Sequence, residues 1–142
     1  MPSSVSGQTA NIAFHSSMRS NGCFHVHEPY IFDEKEIDVG NGYNVHDGIY
    51  VVPVSGTYVF TFTIAAPEDY YIHPEIVVNG AAKDSSISDS GDSSDIHPVT
   101  VLVVVRVKAG DHVFVRTEHS NTCTVMSDVT HGKSTFSGWL LF

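Results

Sequence analysis

The sequence predicts an all-β fold, a sandwich or jelly roll of short antiparallel strands, and three observations carry that reading. In GTYVFTFTI (56–64), Tyr58, Phe60, Phe62 and Ile64 alternate with Thr57, Val59, Thr61 and Thr63, the period-two pattern of a strand with an apolar face. In VTVLVVVRVK (99–108), the five valines at odd positions share one face, and Thr100, Leu102, Val104, Arg106 and Lys108 share the other. Between such runs stand the turn pairs Asn41-Gly42, Asp47-Gly48, Ser55-Gly56, Asn79-Gly80 and Gly110-Asp111, with no helical period of useful length.

Along the chain, ANIAFHSS (10–17), YIF (30–32) and GIYVVP (48–53) read as strands because apolar, β-branched and aromatic residues cluster between turn signals. GTYVFTFTI follows with its aromatic face directed inward. YIHPEIVVN (71–79) ends at its Asn-Gly turn, and VTVLVVVRVK comes next. The half-apolar second face of 99–108 suits a surface covered by another subunit. DHVFVRTEH (111–119) and TFSGWLLF (135–142) complete the set. The closing WLLF should be paired inside a sheet, since fraying would leave four large apolar side chains in water.

The 142 residues suit one domain, which at this size buries roughly 70% of its unfolded surface. The organisation expected is a flexible segment over 1–9 and one globular domain over 10–142. Hydrophobic residues make up 42% and charged residues 16%, too apolar for a disordered chain and too polar for a membrane span. A net charge of -9 argues against nucleic acid, whose phosphates need a basic surface; cationic ligands, metal ions and neutral sugars remain. Nine histidines stand against seven lysines and arginines, so protonating all nine would bring -9 to 0. That is scattered surface histidine or a pH-sensitive or metal-binding surface. Cys23 and Cys123 lie in no CxxC pair, which disfavours structural zinc and leaves one disulfide or two buried thiols. The first twenty residues lack the apolar stretch of a signal peptide. The protein is therefore cytosolic, or a secreted one whose leader has been removed.

From Phe32 to Phe62 the chain resembles the signature of the complement C1q globular-domain family. That signature is an aromatic, five residues, Asp or Asn, four residues, an aromatic, six residues, an aromatic, five residues, then Gly-x-Tyr-x-Phe-x-Phe. It is met here by Phe32, Asp38, Tyr43, Tyr50, Gly56, Tyr58, Phe60 and Phe62, with Tyr50 in place of the usual Phe. VKAGDHVFV (107–115), STFSGWLLF (134–142) and IAFHSS (12–17) resemble further family strands, with Trp139 replacing a Phe. The match is weakest over 65–100. The resemblance implies a ten-stranded jelly-roll sandwich of two five-stranded antiparallel sheets, like the tumour necrosis factor fold, assembled as a homotrimer. With no Gly-x-y repeat, the chain resembles the stalkless, single-domain invertebrate members. Those are secreted, non-enzymatic, lectin-like proteins of innate immunity that recognise microbial glycan patterns. Two other functions stay in view, a calcium- or metal-binding protein of body fluid and a cytokine-like receptor ligand.

No GxSxG, HExxH, P-loop or GxGxxG supports an enzyme. His25 and His27, one residue apart on a strand, would face the same side and could touch surface zinc or copper. A cupin-type centre would also need a suitably spaced glutamate; Glu28 is too close and Glu34 slightly too far. DSSISDSGDSSD (84–95) reads as a loop between strands whose composition forbids a core contribution, Ile87 aside. The resemblance implies calcium here, because in collagen-type relatives loops before the strand matching 99–108 supply aspartates to it; Asp89, Asp92 and Asp95, just upstream of that strand, are the candidate ligands of an ion that takes six to eight oxygens. For sugar binding, which uses an aromatic platform with polar groups on rigid edges, the candidates are Tyr70, Tyr71, His73 and Glu75.

Overall fold

The computed structural model describes residues 11–91 and 94–142. The expected flexible segment 1–9 and the candidate ligand Asp92 lie outside the described residues. Twelve strands form among the described residues: β1 Ala13–Ser17, β2 Gly22–Cys23, β3 Glu34–Val39, β4 Tyr50–Val51, β5 Gly56–Ile64, β6 Tyr71–Val78, β7 Ala81–Ser85, β8 Ser88–Asp89, β9 Val99–Val107, β10 His112–Ser120, β11 Thr124–Val125 and β12 Thr135–Leu140. They build two five-stranded antiparallel sheets, β3-β1-β12-β5-β9 and β4-β10-β6-β7 with β8 added on β6. A two-residue ladder, β11-β2, stands apart. Beside it, Cys23 of β2 is joined to Cys123, just before β11, by a disulfide whose Cα atoms are 4.7 Å apart.

Alternation dictates the core. Tyr58, Phe60, Phe62 and Ile64 of β5 point inward and are essentially fully buried, as the aromatic period required. One row crosses three strands: Phe14 of β1 pairs with Gly138 of β12, which pairs with Phe60 of β5. A Cβ on Gly138 would come within 2.6 Å of the Phe60 ring and 2.7 Å of the Phe14 ring, so the missing side chain is the space those rings occupy. Phe14 also stacks on Tyr50 at 4.1 Å and meets Phe136 edge-on at 4.9 Å, arrangements that favour the ring quadrupoles. Asp38, the acidic position of the signature, accepts the Gly42 and Tyr43 N–H groups at 3.1 and 2.9 Å and fastens the turn that brings Tyr43 into the core. Another turn is held by Asp111, which accepts the Lys108 N–H at 2.8 Å and an Asn79 amide hydrogen at 2.9 Å. Those bonds hold its carboxyl below the usual range.

The same alternation leaves the opposite face of the first sheet apolar and uncovered. Two rows run across all five strands, Val39–Ala13–Trp139–Val59–Val104 and Ile37–His15–Ser137–Thr61–Leu102. Leu102 is 56% and Val104 55% exposed, against 6% and 2% for Val101 and Val107 of the same strand.

Several expectations need correction. YIF (30–32) forms no strand, and 48–53 contracts to Tyr50–Val51. Glu34–Val39 is instead an edge strand, hidden in the sequence because its charged residues guard an edge rather than fill a core. The backbone of WLLF is held, with the Leu141 N–H on the Thr57 carbonyl at 2.8 Å and the Thr57 N–H on the Phe142 carbonyl at 2.9 Å. Its last two side chains nonetheless remain exposed. The acidic run is not wholly a loop, since β7 and β8 lie within or overlap it. Ile87 is exposed, and among the run's described residues Ser88 and Ser90 are the buried ones.

Tyr50 preserves the ring that the signature requires but adds a hydroxyl that is buried without a hydrogen-bond partner among the described residues. Burial pushes its ionisation far above the usual tyrosine range. A buried unpaired polar group costs about 1–3 kcal/mol. Tyr50→Phe is therefore expected to raise the unfolding free energy by about 1 kcal/mol in urea titration; a loss of similar size would show that the hydroxyl is paired.

Candidate functional site

The outward face of the second sheet carries Tyr71, His73, Glu75 and Arg116 beside Val77 and Phe114. On β6 the inward residues Ile72, Ile76 and Val78 join the core, which turns Tyr71, His73, Glu75 and Val77 outward. On β10, Phe114 lies opposite Val77 and Arg116 opposite Glu75. Strict alternation would next set Glu118 opposite His73. A register shift between Thr117 and His119 places His119 there instead.

The result is a compact group of three rings. Tyr71 and His73 are 5.7 Å apart, Tyr71 and His119 5.5 Å, and His73 and His119 5.7 Å, centroid to centroid. The Tyr71 hydroxyl lies 2.9 Å from Nε2 of His119. The strand ends carrying these rings are fixed, because Tyr71 N–H donates to the Asn121 side-chain oxygen at 2.8 Å and its carbonyl accepts the Asn121 N–H at 3.3 Å.

Tyr70 sits beside this group on a short connection, 43% exposed. Two buried serines anchor that connection. Ser88 Oγ accepts the Ala66 N–H at 2.9 Å and donates to the His97 carbonyl at 2.6 Å; Ser90 Oγ donates to the Ala66 carbonyl at 3.2 Å and accepts the His97 N–H at 3.0 Å. Contrary to the expectation that this composition forbids a core contribution, two buried serines stitch the acidic run to the sheet. Ser90 N–H also donates to the Tyr70 carbonyl at 3.0 Å, and Asp89 is the backbone partner of Tyr71.

Of the four candidate sugar-binding residues, Tyr71 and His73 thus meet at one corner, and Tyr70 precedes Tyr71 in the chain and is exposed. Glu75 is drawn away from it. Its carboxylate accepts from Nε of Arg116 at 2.7 Å, both side chains largely buried. Of the candidate calcium ligands, Asp89 reaches the same corner, with one carboxylate oxygen accepting the Gly91 N–H at 2.9 Å. Asp95 is exposed, and Asp92 lies outside the described residues. Among the described residues no three His, Cys, Asp or Glu side chains converge to hold a metal ion.

His25 and His27 do not share a strand face, contrary to expectation. They lie in a turn, where His25 N–H donates to the Glu28 carboxylate at 2.8 Å and His27 takes a left-handed φ of 68°. His119 was missed. Its outward place depends on the register shift, which leaves no periodic signal in DHVFVRTEH.

Two stacked antiparallel sheets in this order define a jelly roll of the tumour necrosis factor kind. Residues 13–141 match the C1q domain, and the chain belongs to the C1q-domain family. It is 30% identical over 142 residues to complement C1q tumor necrosis factor-related protein 3 of Homo sapiens and, equally, of Mus musculus, covering 94% of this chain and 50% of each relative. It is 25% identical over 118 residues to the heavy metal-binding protein HIP of Mytilus edulis, covering 78% of this chain and 50% of that protein. The chain spans about half the length of these curated relatives. In three dimensions it resembles the globular domain of zebrafish complement 1qA, with a TM-score of 0.77, 16% identity, and 93% and 98% of the two chains covered. It also resembles the Eiger tumour necrosis factor of S. frugiperda, with a TM-score of 0.73, 13% identity and 94% of each chain covered. At these identities the two structures establish the fold.

The Glu75–Arg116 pair has a direct consequence. Glu75→Ala leaves a largely buried guanidinium without its carboxylate and is expected to lower stability by about 1–3 kcal/mol in thermal or urea unfolding. An unchanged midpoint would free Glu75 for a role at the surface.

Proposed function

We propose that the protein is a secreted, non-enzymatic recognition module that binds glycan patterns of microbial surfaces and works as a homotrimer. Membership of the C1q-domain family supports this class. The observation that carries the proposal is the exposed Tyr70 followed by the half-buried Tyr71 and His73, two phenol rings and a polar imidazole on fixed backbone. Sugars are held by such sets, an aromatic face against the apolar side of the ring and polar atoms against its hydroxyls. The apolar face of the first sheet supports the trimer, since Leu102, Val104, Ile37 and Trp139 on one surface are what sister copies would cover. The disulfide supports an oxidising, extracellular setting.

A second reading, metal binding in body fluid, is favoured by one observation, the similarity to a relative named for heavy-metal binding. Within it, calcium would be held by Asp89, Asp92 and Asp95.

Glycan-array binding with and without EDTA tests both readings. Binding that survives EDTA and falls at least ~10-fold in a Tyr70→Ala/Tyr71→Ala variant is expected, as about 1.4 kcal/mol lost to two ring contacts would give. Cation uptake with no glycan retained on the array would leave the metal reading alone.

A further inference from the structure

We propose that Tyr71, His73 and His119 form a surface site for a divalent first-row transition-metal ion, Cu2+ in preference to Zn2+. His73 and His119 are direct cross-strand partners, an arrangement that sets Cβ atoms about 4.5–5.5 Å apart. Their rings are 5.7 Å apart between centroids, a separation that leaves room for one ion between the two imidazoles. Tyr71 precedes His73 by two residues and so stands on the same side of β6. Its oxygen is 2.9 Å from Nε2 of His119. Two donor atoms, each about 2.0–2.1 Å from one ion and at right angles to each other, stand about 2.9 Å apart. The phenol oxygen and the imidazole nitrogen thus already have the separation of neighbouring ligands.

The donor set selects the class of metal. Two imidazoles suit copper and zinc, copper ranking higher on any such site, whereas calcium asks for oxygen alone. Three protein donors leave positions for water. When the phenol oxygen joins the set, its proton passes to solvent and the lone pair of Nε2 goes to the ion. The surroundings favour a cation, with Asp89 paired to Tyr71 along the backbone and a net charge of -9 over the chain. The register shift that replaces Glu118 with His119 is what builds the pair of imidazoles.

This site gives the metal-binding reading a location and rests on that reading only in requiring that the ion be bound; sugar binding does not depend on it. The test is titration of the full chain with Cu2+, followed by calorimetry and electron paramagnetic resonance. One equivalent is expected to bind with nitrogen splitting from two imidazoles. His73→Ala and His119→Ala should each weaken it by at least the roughly 10–100-fold that loss of a mere supporting residue costs. Tyr71→Phe keeps the ring and should change the copper spectrum. His73→Gln and His119→Gln, with thermal unfolding of every variant, separate loss of ligand from loss of fold. A His25→Ala/His27→Ala control should bind as the parent does. Full affinity in either the His73 or the His119 variants overturns this site. If the control then loses copper, metal binding survives at the 25–28 turn. If the parent binds no copper at all, the site and the heavy-metal reading fall together.

Discussion

The sandwich depends on an absence, the side chain that Gly138 does not have. Phe14 and Phe60 lie on either side of it in register and fill its space, and any Cβ there would push both rings out. Once those rings face inward, alternation leaves no freedom. Phe136 and Tyr58 must also be core, and Ala13, His15, Trp139, Val59 and Thr61 must face away. A slip of one residue in β12 would exchange Phe136 for Ser137 in the core. The outer apolar face is therefore a forced consequence of the inner one, and it gives the molecule one side that water should not touch.

The ladder between β6 and β10 keeps the same alternation until Thr117. There a single register shift exchanges a carboxylate for an imidazole opposite His73. One irregularity converts an ordinary polar strand end into a cluster of three rings. The two sheets thus differ outside the core: the first leaves Leu102, Val104, Ile37 and Trp139 exposed, and the second carries the cluster of Tyr71, His73 and His119. The buried serines of the acidic run join these roles, because Ser88 and Ser90 tie the segment entering β9 to the corner that carries Tyr70 and Tyr71.

Much of this was legible in the sequence. β5 was bounded as Gly56–Ile64, and the valine strand to within one residue, because both are long and strictly alternating. The family signature was legible for the same reason, being a record of which rings must meet. What escaped was set by long-range contact. β3 carries the charges of an edge, β7 is wholly exposed, and neither has an apolar period. The tie between Glu75 and Arg116 joins residues 41 apart. The role of His119 depends on a bulge, and Asp89 reached the tyrosine corner only through a two-residue strand. Tyr50 was visible as a departure from the signature, but its orphaned hydroxyl was not.

The central claim is that the first sheet's outer face is covered by copies of the same chain. Sedimentation equilibrium of the purified protein at micromolar concentration tests it most directly. A particle of three times 15.5 kDa, reduced to a folded single chain by charge at Leu102 and Val104, is the expected result. A parent protein that sediments as one 15.5 kDa chain, with that face open to water, would contradict it.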